Sequence, residues 1–202
     1  MQVENINPIE IKISGKEKAQ FLQSLITNNI EKIDGTLESF ILTPQGKIKH
    51  QIMITDNTDY YSVLCSNNQN DLLSYLNNYA RLSDVTIEHT ELDKNKFDRK
   101  YFVNKLSEGK LDTNFMVQPS LFPSEVNDSL IDYTKGCYVG QEVVSRMKHK
   151  QKNKKVIKIY KSEQLKSTHL PASHKTLLEI DGYTIIKEPV EWHQNFLQDM
   201  IQ

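Results

Sequence analysis

The sequence predicts an α+β fold: a β-α-β-β-β-α-β series forms a mixed or antiparallel sheet with helices on one face, and a short, truncated β/α segment follows. Three observations indicate this class. They are short runs of alternating apolar and polar residues, two stretches with apolar residues at helical spacing, and turn residues between them. With 202 residues, 38% of them hydrophobic and 25% charged, the chain has room for one large domain or two small ones.

The series begins with a strand and a helix. Ile9, Ile11 and Ile13 alternate with polar residues, as in a half-buried strand. Residues 14–17 (Ser-Gly-Lys-Glu) match a capping box, which predicts the start of a helix. The apolar stripe of that helix consists of Ala19, Leu22, Leu25 and Ile26, and we expect residues 27–29 to end it.

Three more strands, a helix and a last strand complete the series. The strands are predicted at residues 40–42, 48–54, 60–65 and 85–89. The turn residues 44–46 (Pro-Gln-Gly) join the first two of them. The second helix carries an apolar stripe from Leu72 to Tyr79, and Asn67 or Asn68 is its predicted N-cap.

The pattern is weaker in the second half of the chain. The charged residues 91–100 are interpreted as a link between two lobes, of about residues 1–90 and 91–150. A strand is predicted from Val156 to Tyr160, and Asp181-Gly182 between apolar runs predicts a hairpin. Residues 189–201 have the apolar stripe of a helix. We therefore place the short C-terminal segment at residues 151–202.

Composition excludes several classes of protein. The net charge is −1, so nothing in the overall balance favours nucleic acid. The two cysteines, Cys65 and Cys137, form neither a disulfide framework nor a metal-ligand motif, and the six histidines lack metal-ligand spacing. No signal peptide and no membrane span is recognisable, and we expect a cytoplasmic protein without a stably bound metal.

The stretch from Lys135 to Arg146 is the most distinctive part of the sequence. It reads Lys-Gly-Cys-Tyr-Val-Gly-Gln-Glu-Val-Val-Ser-Arg and combines a thiol, two glycines, a lysine, a carboxylate and an arginine. Glycine allows a sharp turn or the close approach of a ligand. Glu142 and Arg146 are four residues apart, so on a helix they lie on one face and can pair or hold a ligand together.

This stretch resembles the signature of the YgfZ-type folate-binding proteins, which are related to the glycine-cleavage aminomethyltransferases (the GcvT family). Residues 13–28, 42–48 (Leu-Thr-Pro-Gln-Gly-Lys-Ile) and 78–81 are similar to further motifs of that family. The resemblance spans roughly residues 9–150 and implies a folate-binding region over residues 1–150. It also implies that the protein binds tetrahydrofolate and supports assembly or repair of iron–sulfur enzymes, and thereby, indirectly, tRNA modification.

The same resemblance implies a set of site residues. Cys137 is the candidate redox or assembly thiol. The candidates for folate binding are Lys135, Gly136, Tyr138, Gly140, Gln141, Glu142 and Arg146. The expected partners are folate and iron–sulfur assembly factors or client enzymes, whereas a membrane and direct contact with nucleic acid are not expected. The oligomeric state stays open.

Two departures from the family pattern bear on function. Aminomethyltransferases carry a carboxylate just after the turn that corresponds to residues 42–48, whereas this chain has His50 and Gln51. We interpret His50 as a solvent-facing strand residue. The region after Lys150 is also shorter than the C-terminal barrel of the family, so a folate cavity would be more open or would be completed by a partner chain.

Two alternatives remain at this point. The first is a folate-dependent aminomethyltransferase, which the missing carboxylate disfavours. The second is a nucleic-acid-binding module built on the basic residues 146–155. Those residues lack interleaved aromatic side chains, so we favour a solvated linker or strand edge for them, and a binding protein rather than an enzyme for the whole chain.

Overall fold

The computed structural model describes residues 7–67, 71–116, 120–150, 155–165 and 170–191, and it confirms the α+β class. The first half of the chain follows the order β-α-β-β-β-α-β. Its elements are β1 (Ile9–Ser14), α1 (Lys18–Gln23), β2 (Thr36–Leu42), β3 (Ile48–Asp56), β4 (Tyr60–Cys65), α2 (Leu72–Ala80) and β5 (Thr86–Glu91). A short 3-10 helix, Ile30–Lys32, follows α1.

The second half begins with helices and ends with strands. Its elements are α3 (Arg99–Ser107), α4 (Pro123–Val126), α5 (Gln141–His149), β6 (Lys155–Lys161), α6 (Ser162–Leu165), β7 (Lys175–Ile180) and β8 (Tyr183–Pro189). Three 3-10 helices lie at Lys94–Phe97, Thr113–Phe115 and Asp128–Leu130. Most of the helix predicted over residues 189–201 falls outside the described residues.

Five antiparallel strands form the first sheet, in the order β2-β3-β4-β1-β5. On one face, the buried residues of β1 pack against Leu22 of α1 and against Leu72 and Leu76 of α2. The opposite face carries Leu64 and belongs to a second core with α3. Since α1 and α2 cover one face and α3 covers the other, the expectation of helices on one face holds only for the first two.

The second sheet has three strands, in the order β6-β8-β7. Asp181 and Gly182 have φ angles of +45° and +81°, which suit the tight hairpin turn that the sequence predicts between β7 and β8. The bidentate pair of Arg99 with Asp181, at 2.8 and 2.7 Å, links α3 to this turn. Buried residues of the sheet and of α3 pack in one core, which holds the sheet against the helix.

Both predicted helix caps are wrong. The N-cap of α1 is Glu17, which makes no side-chain capping bond, because its carboxylate accepts a hydrogen bond from the Asp84 N–H (2.7 Å). The helix ends at Gln23, before the expected residues 27–29. The N-cap of α2 is Asp71, whereas the Asn67 side chain accepts from the Asn7 N–H and donates to the Asn114 carbonyl.

Candidate functional site

The distinctive stretch lies against the loop that follows α1. The N–H groups of Asp132 and Val139 donate to the carbonyl oxygens of Thr27 (3.0 Å) and Ser24 (3.2 Å). The buried Thr27 hydroxyl donates to the Leu130 carbonyl (2.7 Å). These bonds join parts of the chain that are about a hundred residues apart, and they fix the backbone on both sides of Cys137.

Lys135 anchors this packing. Its buried ammonium group donates to three backbone carbonyl oxygens, those of Gln23 (2.7 Å), Ile26 (2.7 Å) and Asn28 (2.9 Å). An ammonium has three N–H donors, so none remains for an anionic ligand in this arrangement. Burial lowers the pKa of Lys135 to about 8, and the carbonyl oxygens take the place of water around the charge.

Cys137 and Tyr138 differ in exposure although they are neighbours. The Cys137 side chain is exposed. Tyr138 is buried against Phe40, Leu42 and Val144, and its hydroxyl has no hydrogen-bond partner among the described residues. Burial raises the pKa of Tyr138 to about 12. The thiol is therefore reachable from solvent, while the tyrosine next to it packs in a core.

Gly140 brings the distinctive stretch against the turn between β2 and β3. Its φ angle is +82°, and a Cβ atom there would lie 2.6 Å from the Thr43 carbonyl oxygen and 3.1 Å from the Cα of Gly46. Gly46 in turn has a φ of +74° and faces the side chain of Val143. The motif at residues 42–48 and the distinctive stretch thus contact each other, and glycine is needed on both sides of the contact. Gly136 lies in open space.

Helix α5 begins directly after Gly140. Glu142 and Arg146 form the expected pair on one face, with 2.6 Å between Oε1 and Nη2, and both side chains are largely exposed. The Gln141 side chain donates to the Gly136 carbonyl (3.5 Å). Lys148 pairs with Asp128 at 2.7 Å, and residues 151–154 of the basic run lie outside the described residues. Two cations of the run, Arg146 and Lys148, therefore already have carboxylate partners.

His50 is buried, so its interpretation as a solvent-facing residue is wrong. It lies opposite Ile41 in the β2–β3 register and points to the face that α1 and α2 cover. Its ring centroid is 6.3 Å from that of Tyr75, and its Nε2 has no hydrogen-bond partner among the described residues. Burial, with a smaller effect of Lys49, lowers the pKa of His50 to about 3, so the imidazole is neutral at neutral pH.

Gln51 follows His50 and therefore points to the opposite face of the sheet, where a cavity lies under α3. The smaller part of the cavity has a volume of about 50 Å³. It is lined by Glu38, Gln51, Ile52, Met53, Leu64, Ser66, Tyr101, Lys105, Lys110, Leu111 and Asp112. The larger part has a volume of about 370 Å³, and four residues line both parts, Glu38, Gln51, Lys110 and Leu111.

Asp112 is the buried carboxyl group of this cavity. It accepts a hydrogen bond from the Ser66 hydroxyl on one oxygen and from the Asn114 N–H (3.1 Å) on the other. Burial raises the pKa of Asp112 to about 6, although both hydrogen bonds act in the opposite direction. A carboxyl group with such a pKa can exchange a proton close to neutral pH.

Cationic and phenolic groups line the same cavity as the carboxyl group. The Lys105 ammonium lies 4.0 Å from Glu38, and Lys110 pairs with the exposed Glu108 at 3.1 Å. Burial raises the pKa of the half-buried Tyr101 hydroxyl. The cavity therefore combines a flat aromatic wall with acidic, amide and ammonium groups at its edge, which suits a flat polar ligand with an anionic tail.

None of the site residues predicted from the sequence lines either part of this cavity. Of the polar residues that line the cavity, the sequence singled out only Gln51, because it lies on the strand that follows the motif at residues 42–48. Asp112 lies in a stretch without helical or strand periodicity, and nothing in the sequence distinguishes it from a surface aspartate. Its role depends on the tertiary contact with Ser66 and Asn114.

The described residues contain no group of three or more His, Cys, Asp or Glu side chains that could hold a metal ion. Nor do they contain a helix long and apolar enough to cross a bilayer. Among the described residues, those that line the cavity could hold a cofactor.

Comparison with known proteins places the fold. No protein-family model matches the chain, and no curated protein matches it. Among solved structures, the crystal structure of the glycine cleavage system aminomethyltransferase T from Bartonella henselae matches with a TM-score of 0.63 at 11% sequence identity. The match covers 92% of this chain and 77% of that one. The chain therefore has an aminomethyltransferase-like fold, while identity this low shows the fold alone.

Proposed function

We propose that this chain binds a tetrahydrofolate and supports the assembly or repair of iron–sulfur enzymes, and thereby, indirectly, tRNA modification. The observation that carries the folate half is the cavity under α3, in an aminomethyltransferase-like fold. The cavity has a smaller part of about 50 Å³ and a larger part of about 370 Å³, and acceptor and ammonium groups occur along both. A pterin ring fits an apolar slot with a few polar groups, and the glutamate tail fits lysine side chains.

The iron–sulfur half is supported by the likeness of residues 135–146 to the YgfZ-type signature and by the exposure of Cys137. One thiol cannot hold a cluster, which normally takes four protein ligands. Cys137 would therefore act on a partner protein, as a redox-sensitive thiol or as one shared ligand. The rigid backbone on both sides of it would present the thiol in a fixed position.

One observation favours a second candidate, the folate-dependent aminomethyltransferase. Residue 51 is a glutamine and cannot exchange protons, but Asp112 supplies a buried carboxyl group in the same cavity. Its pKa suits a group that gives or takes a proton near neutral pH. An assay with an aminomethyl donor and tetrahydrofolate separates the candidates, because only the transferase consumes the donor at a rate that Asp112→Asn abolishes.

A titration with tetrahydrofolate tests where the ligand binds. In the cavity, Lys105→Ala should weaken binding about tenfold, the effect of one lost charge-assisted hydrogen bond, while Arg146→Ala leaves it unchanged. If folate binds at the distinctive stretch, as the sequence predicts, Arg146→Ala should weaken binding and Lys105→Ala should leave it unchanged. Absence of binding to the wild type would refute the folate half.

The cellular half has its own test. In a strain that lacks the protein, Cys137→Ser should fail to restore the activity of iron–sulfur enzymes although it binds tetrahydrofolate like the wild type. Cys65→Ser is the matched control, because Cys65 is fully buried in the core of the first sheet and its thiol is not reachable from solvent. Full restoration by Cys137→Ser would contradict the role proposed for the exposed thiol.

A further inference from the structure

The orientation of the Gln51 side chain is fixed by Thr113. Its Oε1 accepts hydrogen bonds from the Thr113 N–H (2.9 Å) and from the Thr113 hydroxyl (3.1 Å). A backbone N–H is only a donor, so the atom that faces it must be the amide oxygen. The amide nitrogen makes no hydrogen bond to the described residues, and both of its N–H donors remain available to the cavity.

Asp112, the residue before Thr113, offers hydrogen-bond acceptors, whereas the Gln51 amide nitrogen offers donors. Each carboxylate oxygen accepts one hydrogen bond, from the Ser66 hydroxyl and from the Asn114 N–H. Because an ionised carboxylate accepts about two hydrogen bonds on each oxygen, one acceptor position per oxygen is still free. No salt bridge to Asp112 occurs within the described residues. The free positions thus suit two neighbouring N–H donors of a ligand.

We propose that the Gln51 amide and the Asp112 carboxylate together recognise a flat heterocycle whose edge carries an oxo oxygen beside two N–H donors. The amino-oxo pyrimidine ring, which pterins share with guanine, has this edge. Its oxo oxygen would accept from Gln51, and its ring N–H and amino group would donate to Asp112. The smaller part of the cavity, of about 50 Å³, would hold only this edge of the ring, and the rest of the ligand would lie in the larger part, of about 370 Å³.

This inference rests on the proposed function, since it names the part of the folate that the cavity recognises. In this pose the Gln51 amide nitrogen donates to the oxo oxygen, which a carboxylate at residue 51 could not do. Residue 51 would then be a specificity-determining residue, and Asp112 would be the anchor.

Folic acid and aminopterin provide the test, because they differ only in an oxo or amino group on the pyrimidine ring. We expect the wild-type protein to bind folic acid at least about tenfold more tightly, because aminopterin places a donor against Gln51 and an acceptor against Asp112. In Gln51→Glu this preference should disappear. A merely structural role of Gln51 would change both affinities equally. Asp112→Asn should weaken the binding of folic acid about tenfold or more.

Guanosine and its analogue with an amino group in place of the oxo group distinguish the source of the ring. Preference for guanosine, without binding of folic acid, would support the edge recognition but overturn the proposed folate function. Equal binding of folic acid and aminopterin would overturn the recognition and leave folate binding intact. Absence of binding of all four compounds would overturn both.

Discussion

The distinctive stretch around Cys137 and the cavity under α3 use their polar groups in opposite ways. In the stretch, Lys135 donates all three of its N–H groups to backbone carbonyl oxygens, and Gly140 leaves no space beside Thr43. In the cavity, the Gln51 amide nitrogen donates to none of the described residues, and each Asp112 carboxylate oxygen accepts only one hydrogen bond from them. The strongest motif of the sequence thus largely builds the fold, while the unused hydrogen-bonding capacity lies in a segment with little sequence signal.

Lys135 should show the largest effect on stability. In Lys135→Ala three buried carbonyl oxygens lose their donor, and we expect the free energy of unfolding to fall by about 4 kcal/mol. Urea unfolding measures this change. Lys148→Ala is the control, because Lys148 forms only an exposed pair with Asp128, and its loss should cost less than about 0.5 kcal/mol. Similar values for both variants would show that Lys135 is no anchor.

Gly140 should show the next largest effect. Alanine there needs a φ of +82° and places its Cβ 2.6 Å from the Thr43 carbonyl oxygen, so we expect a loss of about 3 kcal/mol. Gly136→Ala is a matched control, because its Cβ would meet no atom within 4 Å and its φ is not in the left-handed region. If Gly140→Ala unfolds at the same urea concentration as Gly136→Ala, the two motifs do not pack together as described.

Two buried groups on opposite faces of the first sheet, His50 and Asp112, should make stability depend on pH in opposite directions. His50 has a pKa of about 3, below its ordinary 6.5, so the unfolded chain gains the proton first and stability falls as the pH drops from about 6.5 to 3. Asp112 has a pKa of about 6, above its ordinary 3.8, so the folded chain gains the proton first and stability rises as the pH drops from about 6 to 3.8.

Between pH 6 and pH 4 each of these contributions is worth about 2 kcal/mol, and in the wild type they largely cancel. Acidification should therefore destabilise Asp112→Asn more than the wild type, and His50→Gln less. Urea unfolding of the three proteins at both pH values measures the differences, in which the contributions of the other carboxylates cancel. Parallel pH curves for all three would show that neither group is buried as described.

Arg146 should show the smallest effect on stability. Its pair with Glu142 is largely exposed, so Arg146→Ala should change the free energy of unfolding by less than about 0.5 kcal/mol. Thermal unfolding with and without tetrahydrofolate measures stability and binding together. A loss of more than about 1 kcal/mol would make Arg146 part of the anchored stretch, and would reduce the contrast between the two regions.

The sequence alone determined features that depend on neighbouring residues. The alternation of Ile9, Ile11 and Ile13 marked β1, Asp181-Gly182 marked the hairpin turn, and the spacing of Glu142 and Arg146 predicted their pair on α5. Each of these follows from backbone geometry over a few residues, so the local pattern suffices. The α+β class follows from the same local patterns taken in order.

Only the tertiary structure decided which polar groups form hydrogen bonds within the protein and which can bind a ligand. The carbonyl partners of Lys135 lie more than 100 residues earlier in the chain, and the partners of Asp112 come from the end of β4 and from its own loop. Burial of His50 likewise depends on α2, whose Tyr75 ring lies 6.3 Å from the His50 ring. Hydrogen bonding and desolvation depend on distance in space, and no local pattern encodes that distance.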